Sequence, residues 1–156
     1  MADEHRRRPM TPFQERLARM TVQVMAGLNL VAYRLSDGRV GGHVPSGAPI
    51  CLLTTTGRRT KQRRTVPLLC LRDGAALVVV ASRGGMSAHP AWYLNLRADP
   101  RAVVQLGHDT MRVRARDATE EERHRLWPAL TAVYEYFDAY QARTSRRIPM
   151  VILSPD

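Results

Sequence analysis

Apolar side chains between residues 13 and 35 recur at steps of three and four, the period of one helix face. They are Phe13, Leu17, Met20, Val24, Leu28, Val31 and Leu35. The pattern predicts an N-terminal amphipathic helix that ends at "SDG", residues 36–38, before a Gly- and Pro-rich loop. Residues 1–11 are polar and are predicted to form a disordered basic tail, with 12–156 as a single domain.

From residue 49 onward the pattern changes to short apolar runs bounded by turn residues, which is typical of β-strands. Six strands are predicted, at residues 49–56, 66–71, 76–82, 101–107, 111–118 and 148–153. "RDG" at 72–74 predicts a hairpin turn between the second and third strands. The fifth strand alternates, with Met111, Val113 and Ala115 on one face and Arg112, Arg114 and Arg116 on the other.

Two further helices are predicted among these strands. A short one follows the third strand and has Pro90 in its first turn. Another begins at the capping box Thr119 and Glu122 and continues to about residue 143, with an interruption at Pro128. Short strands joined mostly by hairpins indicate an antiparallel barrel with helices outside it and across one end. The fold class is therefore mainly β with α, of the α+β type.

Charge adds a preference for anionic ligands. The 156 residues carry a formal net charge of +10, and Lys61 is the only lysine among 24 basic residues. Such a charge favours phosphorylated ligands, polyanions or anionic membranes. Cys51 and Cys70 lie in apolar runs and are predicted to be buried free thiols in a reducing cytoplasm. The sequence shows no metal-ligand cluster, signal peptide or transmembrane run, so we predict a cytoplasmic protein.

The basic turn, residues 58–64 between the first two strands, has five basic residues out of seven. A solvated hairpin loop is one interpretation, and a nucleic-acid site is another. The second lacks the interleaved aromatic residues that stack on bases. In the third interpretation the arginines surround one phosphate with charge-assisted hydrogen bonds.

A second stretch, "ASRGGMSAHPAWYLNL" at residues 81–96, supports a phosphorylated ligand. Ser82 offers a hydroxyl and Arg83 a cation, while Gly84 and Gly85 permit close approach of a ligand to the backbone. Trp92 and Tyr93 could supply an aromatic wall. An ordinary turn for the glycine pair and a core position for Trp92 stay open as alternatives.

Three segments resemble the deazaflavin-dependent nitroreductase family: "LLTTTGRRTKQRRTVPL", "VVVASRGGMSAHPAWYLNLRADPRAVVQLG" and "DATEEERHRLWPALTAVYEYFDAYQARTSRRIPMVIL". They span residues 49–153, about two-thirds of the chain. The resemblance implies a split antiparallel β-barrel with a C-terminal lid helix. It also implies binding of coenzyme F-420, a deazaflavin whose tail carries a phosphate and several glutamates. The basic turn would then hold that tail.

The resemblance also implies roles for individual residues. Ser82, Tyr134, Phe137 and Tyr140 would form the substrate pocket, with Phe137 at a position where the family has tyrosine. Lys61 and Arg63 stand where the family's turn has glycine and proline. The positions implied in cofactor binding are Arg58, Arg59, Lys61, Arg64, Val66, Pro67, Ser82, Arg83, Gly84, Gly85, Trp92 and Asn95.

The implied activity is hydride transfer from reduced F-420 to a planar electron-poor acceptor such as a quinone or a nitroimidazole. His43 and His89 are candidate proton donors. Three alternatives stay open: an FMN-binding split-barrel oxidoreductase, a non-catalytic deazaflavin carrier, and a nucleic-acid-binding protein. The N-terminal helix would either cover the barrel or contact the inner face of the membrane. Monomer and dimer are both compatible with the sequence.

Overall fold

The computed structural model describes Thr11, Pro12, Tyr33, Ser36, Gly42 and residues 47–156. The predicted amphipathic face from Phe13 to Leu35 lies outside the described residues, as does most of the predicted tail. The division into a tail and one domain therefore stays a prediction.

Six antiparallel strands close into a barrel, which confirms the predicted architecture. Their order around the barrel is β1-β2-β3-β6-β5-β4. The fifth strand alternates as predicted, because its apolar residues face the barrel interior and its arginines face solvent. The strands are β1 (Ile50–Thr56), β2 (Arg63–Asp73), β3 (Ala76–Val80), β4 (Arg101–Leu106), β5 (Asp109–Asp117) and β6 (Met150–Pro155).

The barrel has an inner core and an outer core. The inner core fills the barrel and includes Leu53, Val104 and Val113, each with no exposed surface. Cys51 and Cys70 belong to it as buried free thiols, as predicted. Burial of this apolar surface is the main force that holds the strands together.

Within residues 47–156, three α-helices pack around the strands, α1 (Ala91–Ala98), α2 (Glu120–Val133) and α3 (Tyr136–Ala142), and a 3-10 turn covers Arg83–Gly85. α1 buries its apolar face in the inner core. The outer core lies between α2, α3 and the outer surface of β3 and β6. Leu130, Phe137, Val78 and Ile152 meet there.

The C-terminal helix differs from the prediction of one helix interrupted at Pro128. α2 passes through Pro128 and ends at Tyr134, whose φ of −150° and ψ of 89° are not helical. Leu126 and Leu130 flank the proline and are buried in the outer core, so packing overrides the local preference to break. The predicted capping box is present, since Thr119 and Glu122 each accept the other's backbone N–H.

β2 also differs from the sequence prediction. It begins at Arg63 and not at residue 66, so the last two arginines of the basic turn belong to a strand. The third strand ends at Val80, which leaves Ser82 in the following loop.

Candidate functional site

The antiparallel strand directions bring three chain segments to the same end of the barrel. The segments are the β1–β2 turn, the loop of residues 81–90 between β3 and α1, and residues 143–149 before β6. We call residues 81–90 the glycine loop. α1 packs beside this end, where its Asn95 contacts β1 and the β1–β2 turn. The basic turn and the glycine loop, which are separate in sequence, therefore belong to one region.

The β1–β2 turn is closed by its own backbone. Gly57 N–H donates to Gln62 O at 2.7 Å, and Lys61 N–H donates to Gly57 O at 2.8 Å. A Cβ at Gly57 would lie 2.8 Å from Thr60 Oγ1 and 3.1 Å from Gln62 O, so a larger residue would require the Thr60 side chain and the turn backbone to shift. Lys61 has a φ of 59°, in the left-handed region that favours glycine. The turn therefore keeps a lysine where the resembled family has glycine, at a cost in backbone strain.

Asn95 of α1 fixes this turn to the barrel. Its Oδ1 accepts the backbone N–H of Arg58 at 3.1 Å, and its Nδ2 donates to Thr55 Oγ1 at 3.0 Å. Asn95 and Thr55 are both buried. The side chain predicted to bind the cofactor thus already has partners on both amide atoms, and it positions the basic turn.

The cations of the basic turn form no salt bridge among the described residues, although the charge of Lys61 contributes, after that of Arg101, to the lowered pKa of Asp99. Arg58 is half-buried, whereas Arg59, Lys61, Arg63 and Arg64 are exposed. Arg64 donates to the Gln62 side-chain amide at 3.0 Å, a neutral partner. No salt bridge within residues 47–156 includes any of the five. Their charges are therefore available to an anion.

The first half of β2 forms an edge next to this region. Residues 63–69 pair with β1, but the β2–β3 pairs begin only at Cys70. Val66 and Pro67, both partly buried, lie on this stretch. Proline has no N–H to donate and is tolerated where a strand has a free side. Within the described chain, this stretch of β2 therefore has no paired strand on its second side, at the end of the barrel where the glycine loop lies.

The glycine loop has an unusual backbone. Arg83, Gly84 and Gly85 have φ values of 46°, 63° and 76°. A Cβ at Gly84 would meet no heavy atom within 4 Å, whereas a Cβ at Gly85 would lie 2.6 Å from Tyr140 O. Gly84 is therefore open to a ligand, and Gly85 serves the close packing of α3 against the loop.

Aromatic residues cluster where α2 gives way to α3. The hydroxyls of Tyr134 and Tyr140 lie 3.0 Å apart in a hydrogen bond. Partial burial, reinforced by that bond, raises the pKa of Tyr134. Phe137 contacts both rings but is only 4% exposed and belongs to the outer core. Their spacing of three predicts Tyr134, Phe137 and Tyr140 on one face of a helix that continues to about residue 143. This prediction was wrong, because Tyr134 lies between α2 and α3.

The remaining predicted positions lie in more ordinary surroundings. Trp92 is 7% exposed and packs in the inner core, which matches the core alternative. Ser82 is half-buried, and its carbonyl accepts the N–H of Gly85 at 2.9 Å. His89 is partly buried, which together with the nearby Arg146 cation lowers its pKa. His43 lies outside the described residues. Among the described residues no cluster of His, Cys, Asp or Glu is suited to a metal.

Sequence reasoning missed two residues of this region. Tyr136 is 49% exposed and its ring stacks at 6.4 Å on Tyr140. Arg146 reaches from the segment before β6 into the glycine loop. "VYEYFDAY" could have drawn attention to Tyr136 through its density of aromatic residues. Arg146 gives no such signal, because its partners are more than fifty residues away.

Comparison with known families decides where this chain belongs. The model of the F420H(2)-dependent quinone reductase family matches residues 27–155. The chain belongs to this family. An F420H(2)-dependent quinone reductase of Mycobacterium tuberculosis (strain ATCC 25618 / H37Rv) is 39% identical over 125 residues, covering 78% of this chain and 84% of the relative.

Solved structures give the same assignment for the fold. The F420-H2 dependent reductase FDR-A is 37% identical and superposes with a TM-score of 0.63. The match covers 68% of this chain and 94% of the FDR-A chain. A second structure, described as a domain-swapped dimer, is 35% identical, covers 80% and 94% respectively, and has a TM-score of 0.65. The resemblance to deazaflavin-dependent split-barrel enzymes is thereby confirmed.

Proposed function

We propose that this protein is an oxidoreductase that transfers a hydride from reduced coenzyme F-420 to a quinone or a similar planar, electron-poor acceptor. The observation that carries the proposal is the convergence at one barrel end. One region at this end is surrounded by the cations of the basic turn, the open edge of β2, the glycine loop and the tyrosine cluster. We use this last name for Tyr134, Tyr136 and Tyr140. Membership of the F420H(2)-dependent quinone reductase family favours F-420 over FMN and an enzyme over a carrier.

The basic turn fits the acidic tail of the cofactor. Guanidinium groups bind phosphate and carboxylate through paired N–H donors. Arg58, Arg59 and Arg64 supply such donors, and Asn95 holds the backbone that carries them. In this proposal Lys61 adds a point charge beside them. The turn thus binds and orients the tail, and takes no part in the chemical step.

In this proposal the deazaflavin ring lies between the β2 edge and the glycine loop. Val66 and Pro67 would line one side, and the backbone at Gly84 the other, because no heavy atom of the described residues lies within 4 Å of a Cβ at Gly84. When bound, the cofactor supplies the hydride from the ring carbon that replaces the reactive flavin nitrogen.

The tyrosine cluster would orient the acceptor. In the Tyr134–Tyr140 pair one hydroxyl donates to the other, which leaves one O–H to donate to a carbonyl or nitro oxygen. Partial burial and the bond to Tyr140 raise the pKa of Tyr134 above its ordinary value of 10, so its hydroxyl stays protonated at neutral and moderately alkaline pH. The exposed ring of Tyr136 extends the aromatic surface. Phe137 supports these rings from the outer core.

A membrane-bound quinone would require contact with a lipid surface. The described residues contain no helix long and apolar enough to cross a membrane. We propose a cytoplasmic enzyme that contacts the membrane surface peripherally. The contact would be made by the "HRRR" tail and the apolar positions among residues 13–35, both of which are features of the sequence. Tyr33 is buried and its hydroxyl accepts Gly107 N–H at 2.6 Å, so a truncation should end before it. Removing residues 1–11 should reduce sedimentation with anionic vesicles, whereas unchanged sedimentation would contradict the contact.

Two measurements on the full chain test the enzymatic proposal. Quenching of cofactor fluorescence gives the affinity for F-420 and, separately, for FMN, and F-420 should bind much more tightly. Oxidation of reduced F-420 with menadione as acceptor should be catalytic and should slow in Tyr134→Phe. Binding of F-420 without turnover of any quinone would leave a carrier, and preference for FMN would overturn the choice of cofactor.

A further inference from the structure

Arg146 is the most extensively bonded side chain at this end of the barrel. Its Nε donates to Met86 O at 2.8 Å, and Nη2 donates to Ser82 O at 2.8 Å. Both Nη atoms lie 3.3 Å from Ala81 O, and Nη1 lies 3.2 Å from His89 Nδ1. One half-buried guanidinium therefore connects both ends and the middle of the glycine loop.

Within the glycine loop, Arg83 Nη1 also donates to His89 O at 3.1 Å and to Ala88 O at 3.5 Å. Among the described residues, however, only Arg146 joins the loop to the segment before β6 through several side-chain hydrogen bonds. The loop's internal backbone hydrogen bonds include Gly85 N–H to Ser82 O and Met86 N–H to Arg83 O. Positive φ values at Arg83, Gly84 and Gly85 make the free segment costly to order. A planar guanidinium has five N–H donors in a fixed fork, which suits several carbonyls at once. A lysine has the same charge on one nitrogen and cannot reach all of these acceptors together.

Arg146 is itself held by α3. Gln141 Nε2 donates to Arg146 O at 2.9 Å, and Gln141 Oε1 accepts Ile148 N–H at 2.9 Å. The backbone of Tyr140 packs against Gly85 from the same helix. The helix that carries Tyr136 and Tyr140 is thus connected to the glycine loop through Arg146.

We propose that Arg146 is a positioning residue that holds the glycine loop in its cofactor-receiving shape and keeps His89 in a single tautomer. The first half rests on the proposed function, because it assumes that F-420 binds beside this loop. The second half follows from donor chemistry. Arginine can only donate, so His89 Nδ1 must accept and the ring proton must sit on Nε2.

The test compares Arg146→Met and Arg146→Lys with the matched control Arg147→Met. Arg147 is the next residue, is exposed, and pairs with Glu120 on α2. Two quantities are measured on each full-length protein. Nitrogen-15 NMR reports the His89 tautomer without cofactor, and fluorescence quenching gives the dissociation constant for F-420.

Wild type and Arg147→Met should show one His89 tautomer with the proton on Nε2, and equal F-420 affinity. Arg146→Met should show mixed tautomers and an F-420 dissociation constant at least about tenfold higher, since several hydrogen bonds to the loop are lost. Arg146→Lys should lie between Arg146→Met and wild type in both the His89 tautomer ratio and the F-420 dissociation constant. If Arg146→Met does not fold, the lysine variant provides the same two readouts.

Wild-type tautomer and affinity in Arg146→Met would overturn the proposal. Full recovery by Arg146→Lys would also overturn it, because charge alone would then suffice. Failure of the wild-type protein to bind F-420 would refute the proposed function and the cofactor half of this inference. The NMR comparison, made without cofactor, would still decide whether Arg146 fixes the His89 tautomer.

Discussion

Arginines occur in two regions of this barrel with opposite surroundings. On β4 and β5, Arg101 pairs with Asp99 at 3.0 Å, Arg114 with Asp156 at 3.2 Å and Arg116 with Glu122 at 2.6 Å. The basic turn has no such pairs. Within residues 47–156, five cations without a salt bridge therefore lie together in one turn at one end of the barrel.

The comparison distinguishes arginines that pair with neighbouring carboxylates from arginines whose charges stay available to a ligand. Exposed salt bridges contribute little to stability, but they neutralise the charge that an anion would need. Arg101 and Arg114 even face each other across the β4–β5 ladder, an arrangement that local acids make tolerable. No salt bridge within residues 47–156 compensates the basic turn in this way. We infer that a ligand does so.

The largest expected effect is on the basic turn itself. Arg58→Ala and Arg64→Ala should each weaken F-420 binding by roughly 1.5–3 kcal/mol, the range for a hydrogen bond to a charged group. Fluorescence quenching measures the dissociation constants. Arg114→Ala is the matched control from β5 and should bind F-420 like wild type. Equal losses in all three variants would show that net charge, and not this site, attracts the cofactor.

The next effect concerns the residue that fixes the turn. Asn95→Ala leaves Arg58 N–H and Thr55 Oγ1 without this partner, which should lower the free energy of unfolding by about 1–3 kcal/mol. F-420 affinity should fall as well, because the turn loses its anchor. Urea denaturation and cofactor titration measure the two quantities. Gln105→Ala, which removes an amide hydrogen bond to Gly107 O, is the control and should leave affinity unchanged. Unchanged affinity in Asn95→Ala would limit Asn95 to packing.

A smaller effect comes from the strained lysine. Lys61→Gly relieves a left-handed φ of 59° and should raise the free energy of unfolding by about 0.5–1 kcal/mol. Lys61→Ala removes the same charge but keeps the Cβ, so it should bring no such gain. Thermal or urea unfolding of both variants separates backbone strain from charge. Equal free energies of unfolding for Lys61→Gly and Lys61→Ala would contradict backbone strain at position 61.

The smallest effect belongs to the paired arginines. Arg116, together with the Thr119 N–H, holds the pKa of Glu122 at about 2, against an ordinary value of 4.5. A lowered carboxyl pKa stabilises the fold above pH 4.5, and this contribution disappears as the pH falls towards 2. Because the pair is exposed, the loss should stay below about 1 kcal/mol.

Urea unfolding between pH 5 and about pH 2.5 tests this contribution of the Arg116–Glu122 pair. The free energy of unfolding of Glu122→Gln should fall less steeply with decreasing pH than that of wild type. Glu121→Gln, one residue away in the same helical turn, is the control and should follow wild type. A wild-type slope in Glu122→Gln would mean that the Arg116 pair adds nothing to the fold.

The sequence predicted the barrel because its strands are local patterns. Alternation along β5 and the turn at Gly74 identify a strand and a hairpin without knowledge of any partner. The course of the last helix could not be read in the same way. Pro128 favours a break locally, but the burial of Leu126 and Leu130 against the barrel decides the outcome.

The same distinction applies to the site. Clustered arginines in the basic turn are adjacent in sequence and therefore visible in it. The role of Asn95 depends on Arg58, 37 residues away, and that of Arg146 on Ser82, 64 residues away. Such contacts follow from barrel closure, which places the strand ends together. The residues proposed to bind the ligand were accessible from sequence, whereas those proposed to position them required the fold.

The measurement that tests the central claim most directly compares two ligands. Intact F-420 and a deazaflavin without the phosphate and glutamate tail are titrated against wild type and the Arg58→Ala and Arg64→Ala variants. If the basic turn binds the tail, both variants should lose affinity for F-420 and bind the tail-less ligand as wild type does. Equal loss for the two ligands would contradict the claim, because the arginines would then act on the ring or on the fold.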